Sequence, residues 1–539
     1  MMESTLKCRR LGTMVDCSRN AVMRPEKVEQ WIDLTSDLGY NCLMLYTEDT
    51  YELDGEPYFG HLRGRYSEEE LRRIDDYAHA HNVELIPCIQ TLAHLRTIFH
   101  WPAYQGIRDF DSILMVGSED VYALIDKMFA MIKRTFRSKV VNIGMDEAHM
   151  LGRGRYLAKN GLRDKADILM EHLQRISQIA KKYDLELIMW GDMFFRIASG
   201  GEYYAKDVQI SDRIKGMVPD NVNLIYWDYY SVDADHYDQQ IKAHAAIKEG
   251  IWFAGGLWSW AGFAPHNAFS MQSMELAVSD CLKYGIEDIF MTMWGDNGGE
   301  CSRFALLPSL YYVSELAKGN ADMMQIKAGF EEKYGIPFDA FMLLDLLGTP
   351  NEKRSVIVNP DKYMLYCDCF MGQFDNRVAE GQAESYSQCA AKLQKWENHP
   401  RYGHLFASMR ALCDVLAVKF DLGVRTRKAY LSRDTEKMKG LVADYALLIQ
   451  RIDRFYDVYR AQWMWENKPH GFELQDHRLG GLARRVKNCM QQLQAYLDGD
   501  LDRIEELEEP VLDIKGEQNV CGEAIEYNNW ATTVTANVI

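Results

Sequence analysis

No stretch of the chain approaches the roughly 20 consecutive apolar residues that a bilayer span requires, so no membrane helix is expected. Positive charge is in short supply: 61 Lys and Arg stand against 79 Asp and Glu, a formal balance of −18. That leaves little to neutralise a phosphate backbone, and no nucleic-acid partner is expected. None of the twelve cysteines forms a C-x-x-C pair; only Cys367 and Cys369 lie close together, which is neither a zinc framework nor a disulfide module. Lys7, Arg9 and Arg10 are followed by Leu-Gly-Thr-Met-Val-Asp rather than by the apolar run of a secretory leader. A cytoplasmic protein with reduced thiols is expected. What is present is globular: 47% hydrophobic and 26% charged residues exclude wholesale disorder and a coiled-coil rod, and 539 residues call for two to four units or one large barrel with additions.

Eight β-rich runs punctuate the first 320 or so residues, at Gly12–Asp16, Asn41–Tyr46, Glu84–Gln90, Val140–Asp146, Glu186–Asp192, Asn223–Asp228, Trp252–Trp258 and Asp288–Trp294. Between them apolar residues recur at helical spacing, as in Val28, Trp31, Ile32 and Leu38 or Leu169, Leu173, Ile176 and Ala180. Ser67 followed by Glu70 opens one such segment as a capping box, and Gly39, Gly250 and Gly285 stand where C-caps belong. Strand and helix alternating eight times predict a (β/α)8 TIM barrel over residues 1–320, an α/β fold. A doubly wound open sheet would carry a Gly-rich phosphate turn after its first strand, and none is there. Residues 321–507, with long runs such as Thr435–Glu466 and Glu473–Leu497, predict a mainly α-helical C-terminal domain. Residues 508–539 lose the helical period and end in Thr532, Thr533, Val534 and Thr535, an extended tail or short strand.

In a TIM barrel the chemistry gathers at the C-terminal ends of the strands. The fourth run ends Asn142-Ile-Gly-Met-Asp146-Glu147. Alternation turns Asn142, Gly144 and Asp146 towards the axis and leaves Glu147 to reach over the mouth from the following loop. Two crowded carboxyls would raise the pKa of at least one of them, as a general acid needs. A solvated Asp-Glu pair at a helix start is the bland reading of that dipeptide alone. Other strand ends strengthen the chemical one: Trp190 with Asp192, Trp227 with Tyr229, Trp258 with Trp260, and Trp294 with Asp296. Aromatic walls interleaved with acids suit a sugar ring, which offers flat C–H faces for stacking and hydroxyls for hydrogen bonds.

The run around Asp146-Glu147 resembles the Asp-Glu signature of glycoside hydrolase family 20, the β-N-acetylhexosaminidases. The resemblance extends to the strand-end tryptophans and to Ile86-Pro-Cys-Ile-Gln-Thr-Leu-Ala-His94, and it covers about residues 11–320. The stretches Asp146–Arg155 and Trp294–Ser302 are similar to an intracellular, hexosaminidase D-like branch of that family. The resemblance implies exo-acting, retaining hydrolysis of terminal β-linked N-acetylglucosamine or N-acetylgalactosamine, with the substrate's acetamido oxygen as nucleophile and no cofactor or metal. It implies that Glu147 is the general acid and base and that Asp146 orients the acetamido group. By the same resemblance Arg19 would fork to the 3- and 4-hydroxyls, and Asp296 or Glu300 would hold the 4- and 6-hydroxyls. Tyr229, with Tyr230 beside it, would bind the acetamido carbonyl. Trp190, Trp258 and Trp294 would wall the pocket with Trp227, while His94 would bond a hydroxyl or the acid pair. Asp296 in place of the family's usual Glu, and a Tyr from strand six rather than seven, are departures. Which epimer is preferred stays open, because a single 4-hydroxyl decides it. The helical part could shape the cleft or form a homodimer interface.

Three other readings are separable. A catalytically inactive amino-sugar-binding protein would have no use for both acids. Metal-dependent hydrolysis through His94, His100 and His149 lacks paired ligand spacing. A conventional two-carboxylate glycosidase takes its acids from separate strands and would not depend on an acetamido group.

Overall fold

The computed structural model describes residues 6–528 apart from 206, 207, 209 and 349–356; the tail expected at Thr532–Thr535 lies outside the described residues. Eight parallel strands close into a barrel: β1 (Arg10–Asp16), β2 (Cys42–Tyr46), β3 (Glu84–Cys88), β4 (Val140–Asn142), β5 (Glu186–Trp190), β6 (Val222–Trp227), β7 (Trp252–Gly256) and β8 (Asp288–Met293). Each pairs with its neighbours in chain order, and β1 closes the ring against β8 with Gly12 opposite Phe290 on one side and Cys42 on the other. A side chain at Gly12 would meet the Cβ atoms of both partners at 3.1 Å, so glycine is what lets the seam close. Strands covered on both faces read as unbroken apolar runs, and β2 and β8 are buried along their whole lengths.

The intervening helices follow from local signals. Ser67 and Glu70 satisfy each other's backbone amides in a capping box at the start of Glu68–Ala80, and Pro25 occupies the first turn of Pro25–Ser36, where its missing N–H costs nothing. The strands themselves end sooner than alternation predicts: β3 stops at Cys88, β5 at Trp190, and β4 at Asn142 rather than Asp146. Gly144 and Met145 adopt φ of 70° and 71°, which takes the chain out of extended geometry. The inward phase argued for Asp146 from strand alternation is therefore corrected: an arch of left-handed residues, not a pleat, aims it.

The chain forms two compact units. One takes in the residues up to Leu257 together with Ser270–Gly295 and Ser309–Ile326; the other comprises Trp258–Phe269, Asp296–Pro308 and the chain from Lys327 onward. The second unit is mainly helical. Its longest helices, Thr435–Glu466 and Glu473–Asp498, pack together. They bury Met438, Leu441, Tyr445, Leu448, Ile452, Phe455 and Tyr459 from one, and Leu479, Leu482, Val486, Cys489 and Leu493 from the other. Steps of three and four alternate along both, the spacing of a heptad seam. Each fully buried Leu or Phe there contributes about 1.5–3 kcal/mol relative to exposure. All twelve cysteines are free thiols and only Cys521 is exposed. Among the described residues no helix is long and apolar enough to cross a membrane.

Candidate active site

The loop after β4 is built around Gln90. A side chain at Gly144 would fall 2.0 Å from Gln90 Oε1, so glycine there admits the amide into the arch. Gln90 Oε1 then accepts from the Met145 amide at 3.3 Å, and its Nε2 donates to the Tyr46 hydroxyl at 2.8 Å and to Asp146 Oδ1 at 3.1 Å. The other Asp146 oxygen pairs with His94 Nε2 at 3.1 Å. Burial alone would push Asp146 up, but the charge and hydrogen bond of His94, with the Gln90 bond, hold it below the usual carboxylate range. Burial likewise pulls His94 down, yet the Asp146 charge and hydrogen bond outweigh it and raise the imidazole to about 9. At neutral pH the pair is therefore an imidazolium and a carboxylate.

That pairing has a measurable consequence. His94 binds its proton more tightly folded than unfolded, so its contribution to stability is complete below its ordinary value of 6.5 and disappears as pH rises through about 9. The loss is on the order of 3 kcal/mol. Thermal melts of the wild type and of His94→Asn between pH 6 and 10 should show a decline in the first that is flattened in the second; parallel curves would remove His94 from this role.

Glu147 follows at φ 52° with its side chain 41% exposed, above the buried Asp146. One of its oxygens lies 3.6 Å from His94 Nε2, and the other 3.9 Å from Arg196 Nη2. Its amide donates to Asp192 Oδ2 at 3.1 Å, and Arg196 Nε donates to the same oxygen at 3.0 Å. Burial first, and then the Asp146 charge, push Asp192 up to about 7 against the pull of those two donors. The crowding expected within the Asp146-Glu147 pair thus falls on Asp192, while Asp146 is lowered. Asp192 itself opens the helix Asp192–Ser199 instead of ending a strand, which corrects the shared strand face inferred for it and Trp190.

Across the mouth, Asp16 at the end of β1 accepts from the Ser18 amide and hydroxyl at 2.8 Å, and its other oxygen accepts from the Gly295 amide at 2.8 Å and Arg19 Nη1 at 3.3 Å. Arg19 is thereby fixed with its guanidinium 5.0 Å from the Tyr46 ring and 5.3 Å from the Trp294 ring, and 3.5 Å from Glu48. Tyr46 meets Trp294 edge-on at 4.7 Å. Trp190 lies 6.1 Å from Trp294, and Tyr229 stacks on Trp227 at 5.2 Å and 20°. A hydrogen bond with Trp294 engages Tyr229, which is buried; Tyr230 is exposed. The indole N–H groups of Trp190 and Trp227 are buried with no partner among the described residues.

Six of the residues singled out from sequence plus the acid pair, namely Arg19, His94, Asp146, Glu147, Trp190, Trp227, Tyr229 and Trp294, belong to the first unit. Trp258, Asp296 and Glu300 belong to the second. There Trp258 stacks on Trp260 at 4.0 Å, and both oxygens of the buried Glu300 are engaged by cations, Lys362 at 2.5 Å and Arg478 at 3.0 Å. Sequence reasoning assigned no role to Gln90, Asp16 or Arg196. The signals were present: Gln90 lies inside the run that ends at His94, Asp16 ends the first strand, and Asp192 with Arg196 is an i,i+4 acid–base pair.

The model of the glycosyl hydrolase family 20 catalytic domain matches residues 10–245, and that of the glycoside hydrolase 20C C-terminal domain matches residues 339–525. Together they take in more than half of the chain. The protein belongs to glycoside hydrolase family 20. Within the family it is similar to hexosaminidase D of Bos taurus, 26% identical over 242 residues that make up 42% of this chain and 63% of that protein. It is also similar to hexosaminidase D of Homo sapiens, 23% identical over 209 residues, 36% of this chain and 39% of that one. The chain thus matches less than two thirds of the length of either relative. A β-N-acetylhexosaminidase from Bacteroides fragilis aligns in structure with a TM-score of 0.47 at 18% identity, covering 61% of this chain and 71% of that one.

Proposed function

We propose that this family 20 protein is an exo-acting, retaining β-N-acetylhexosaminidase that removes terminal β-linked N-acetylglucosamine or N-acetylgalactosamine with the help of the substrate's own acetamido group. One observation carries the reading: a buried carboxylate held anionic by His94 and Gln90 directly precedes a half-exposed one at the barrel mouth. A carboxylate has about four lone-pair directions, so Asp146 can keep both protein partners and still accept the acetamido N–H. Its negative charge stabilises that N–H as the acetamido oxygen attacks the anomeric carbon, closing an oxazolinium ring while the glycosidic C–O bond breaks. Glu147 gives its proton to the departing oxygen. It then takes one from the water that attacks the anomeric carbon and reopens the ring, returning the site to its starting state.

Arg19, rigidly held by Asp16, is assigned to the sugar hydroxyls, where a planar fork suits a vicinal pair. Trp190, Trp227 and Trp294 supply stacking faces, and Tyr229 the donor to the acetamido carbonyl. Buried N–H groups without partners are costly, and those of Trp190 and Trp227 are suited to receiving a polar ligand. The twelve free thiols, eleven of them buried, fit work in a reducing cytoplasm.

Nitrophenol release from the β-N-acetylglucosaminide, the β-N-acetylgalactosaminide and the plain β-glucoside tests this directly. Turnover of at least one acetamido sugar, with the glucoside slower by 100-fold or more, is the expected result. Comparable rates on the glucoside would rule out acetamido participation, and no turnover of any would leave a binding protein.

A further inference from the structure

Beside the helix Asp192–Ser199 the first unit holds a cleft of about 330 Å³, within the range of small-ligand pockets, lined among others by His149, Arg153, Asp164, Lys165 and Arg196. We propose that this cleft receives the leaving group and that it selects an aglycone bearing negative charge, a carboxylate or a sulfate ester. The inference rests on the hexosaminidase reading above and deepens it.

Two features tie the cleft to the reacting bond. Arg196, which lines it, reaches to 3.9 Å from Glu147 and bonds Asp192, the acceptor for the Glu147 amide. His149, also in its wall, donates its amide to the Glu147 carbonyl at 2.7 Å. The cleft thus adjoins the Glu147 carboxyl on its Arg196 side, within reach of a group hanging from the oxygen that Glu147 protonates.

Its charge is the second argument. Among the described residues Lys165 Nζ bonds only the His149 carbonyl, at 2.5 Å, and Arg153 Nη1 bonds only the carbonyls of Gly152 and Arg163, each at 3.2 Å. Neither has a carboxylate partner among the described residues. The acid in the lining, Asp164, is already engaged: it caps its helix by accepting from the Ala166 and Asp167 amides, and it pairs with Arg213 at 3.3 Å. Lys165 is lowered by burial and by the nearby Arg153 charge, and His149 by burial and by Arg196, so each has a neighbouring positive charge. In a chain with a formal charge of −18, positive charge without a carboxylate partner gathered beside the proton donor is a place for an anion.

The test compares three disaccharides with the same non-reducing N-acetylhexosamine and a neutral hexose, a uronic acid or a sulfated hexose at the reducing position. The nitrophenyl glycoside reports hydrolysis independently of a sugar aglycone. The wild type should favour at least one acidic aglycone over the neutral one by fivefold or more in kcat/KM, and the arm preferred distinguishes carboxylate from sulfate. The preference should shrink as salt rises. In the double variant Arg153→Met, Lys165→Met the acidic-to-neutral ratio should fall towards one, whereas Lys165→Arg should keep it. Because the ratio is taken within each variant, a general loss of activity cancels. A ratio near one in the wild type, or a preference that survives the double variant, overturns the proposal while leaving nitrophenyl hydrolysis intact. No turnover of any acetamido glycoside, nitrophenyl included, overturns the underlying reading and this one with it.

Discussion

Replacing Glu147 with Gln should cut kcat/KM for a disaccharide by about 10²–10⁴-fold, the usual worth of a positioned general acid. It should cost far less for the nitrophenyl glycoside. The reason is chemical: a sugar alkoxide leaves poorly without a proton, whereas nitrophenolate leaves well unaided, and kcat/KM reports the step in which that bond breaks. The half-exposed position of Glu147 makes misfolding a minor concern, since Gln preserves its length and its amide still meets Asp192. Equal losses on both leaving groups would remove Glu147 as proton donor. Asp192 bears on the same experiment. Its carboxyl, raised to about 7 by burial and by Asp146, changes charge in the working range, within one hydrogen bond of the Glu147 backbone.

Asp146→Asn should be nearly as damaging but with the opposite signature. Losing the anion behind the acetamido N–H should lower kcat/KM by about 10²–10³-fold, the scale of a preorganised electrostatic contact. The loss should be similar for good and poor leaving groups, because ring closure by the acetamido oxygen accompanies departure in both. The substitution also strips His94 of the charge that raises it, so its imidazole should titrate well below 9 in the variant. Proton NMR of the histidine ring reads this separately from activity. Less than a fivefold kinetic loss, with the histidine shifted as expected, would show that Asp146 holds His94 but does not serve the substrate.

The barrel was legible because its strands are buried on both faces and read as apolar runs, from Cys42–Tyr46 to Asp288–Met293, while Gly39 and the Ser67 capping box marked the helix ends. The acid pair stood out because tryptophans and acids recur at the other strand ends; alone, the dipeptide reads as a solvated helix start. What did not show was how the chain leaves each strand. Period-two reasoning carried Asp146 and Asp192 along as pleated residues, whereas a Gly144 turn places the first and a helix start places the second. Alternation has no term for a side chain such as Gln90 entering the backbone's space. Nor could spacing show that Glu300 would be engaged by Lys362 and Arg478, cations 62 and 178 residues further along the chain.

The left-handed backbone at His94, Gly144, Met145 and Glu147 has a consequence for anyone redesigning this chemistry. Non-glycine residues in that conformation cost on the order of 1–3 kcal/mol each, a strain the rest of the barrel must carry. Grafting Asp-Glu onto the strand end of another barrel would transplant two carboxyls without the arch that aims them, and a relaxed host loop would point them elsewhere. The transferable module is the arch with its glycine and its glutamine, set in a scaffold stable enough to hold it bent.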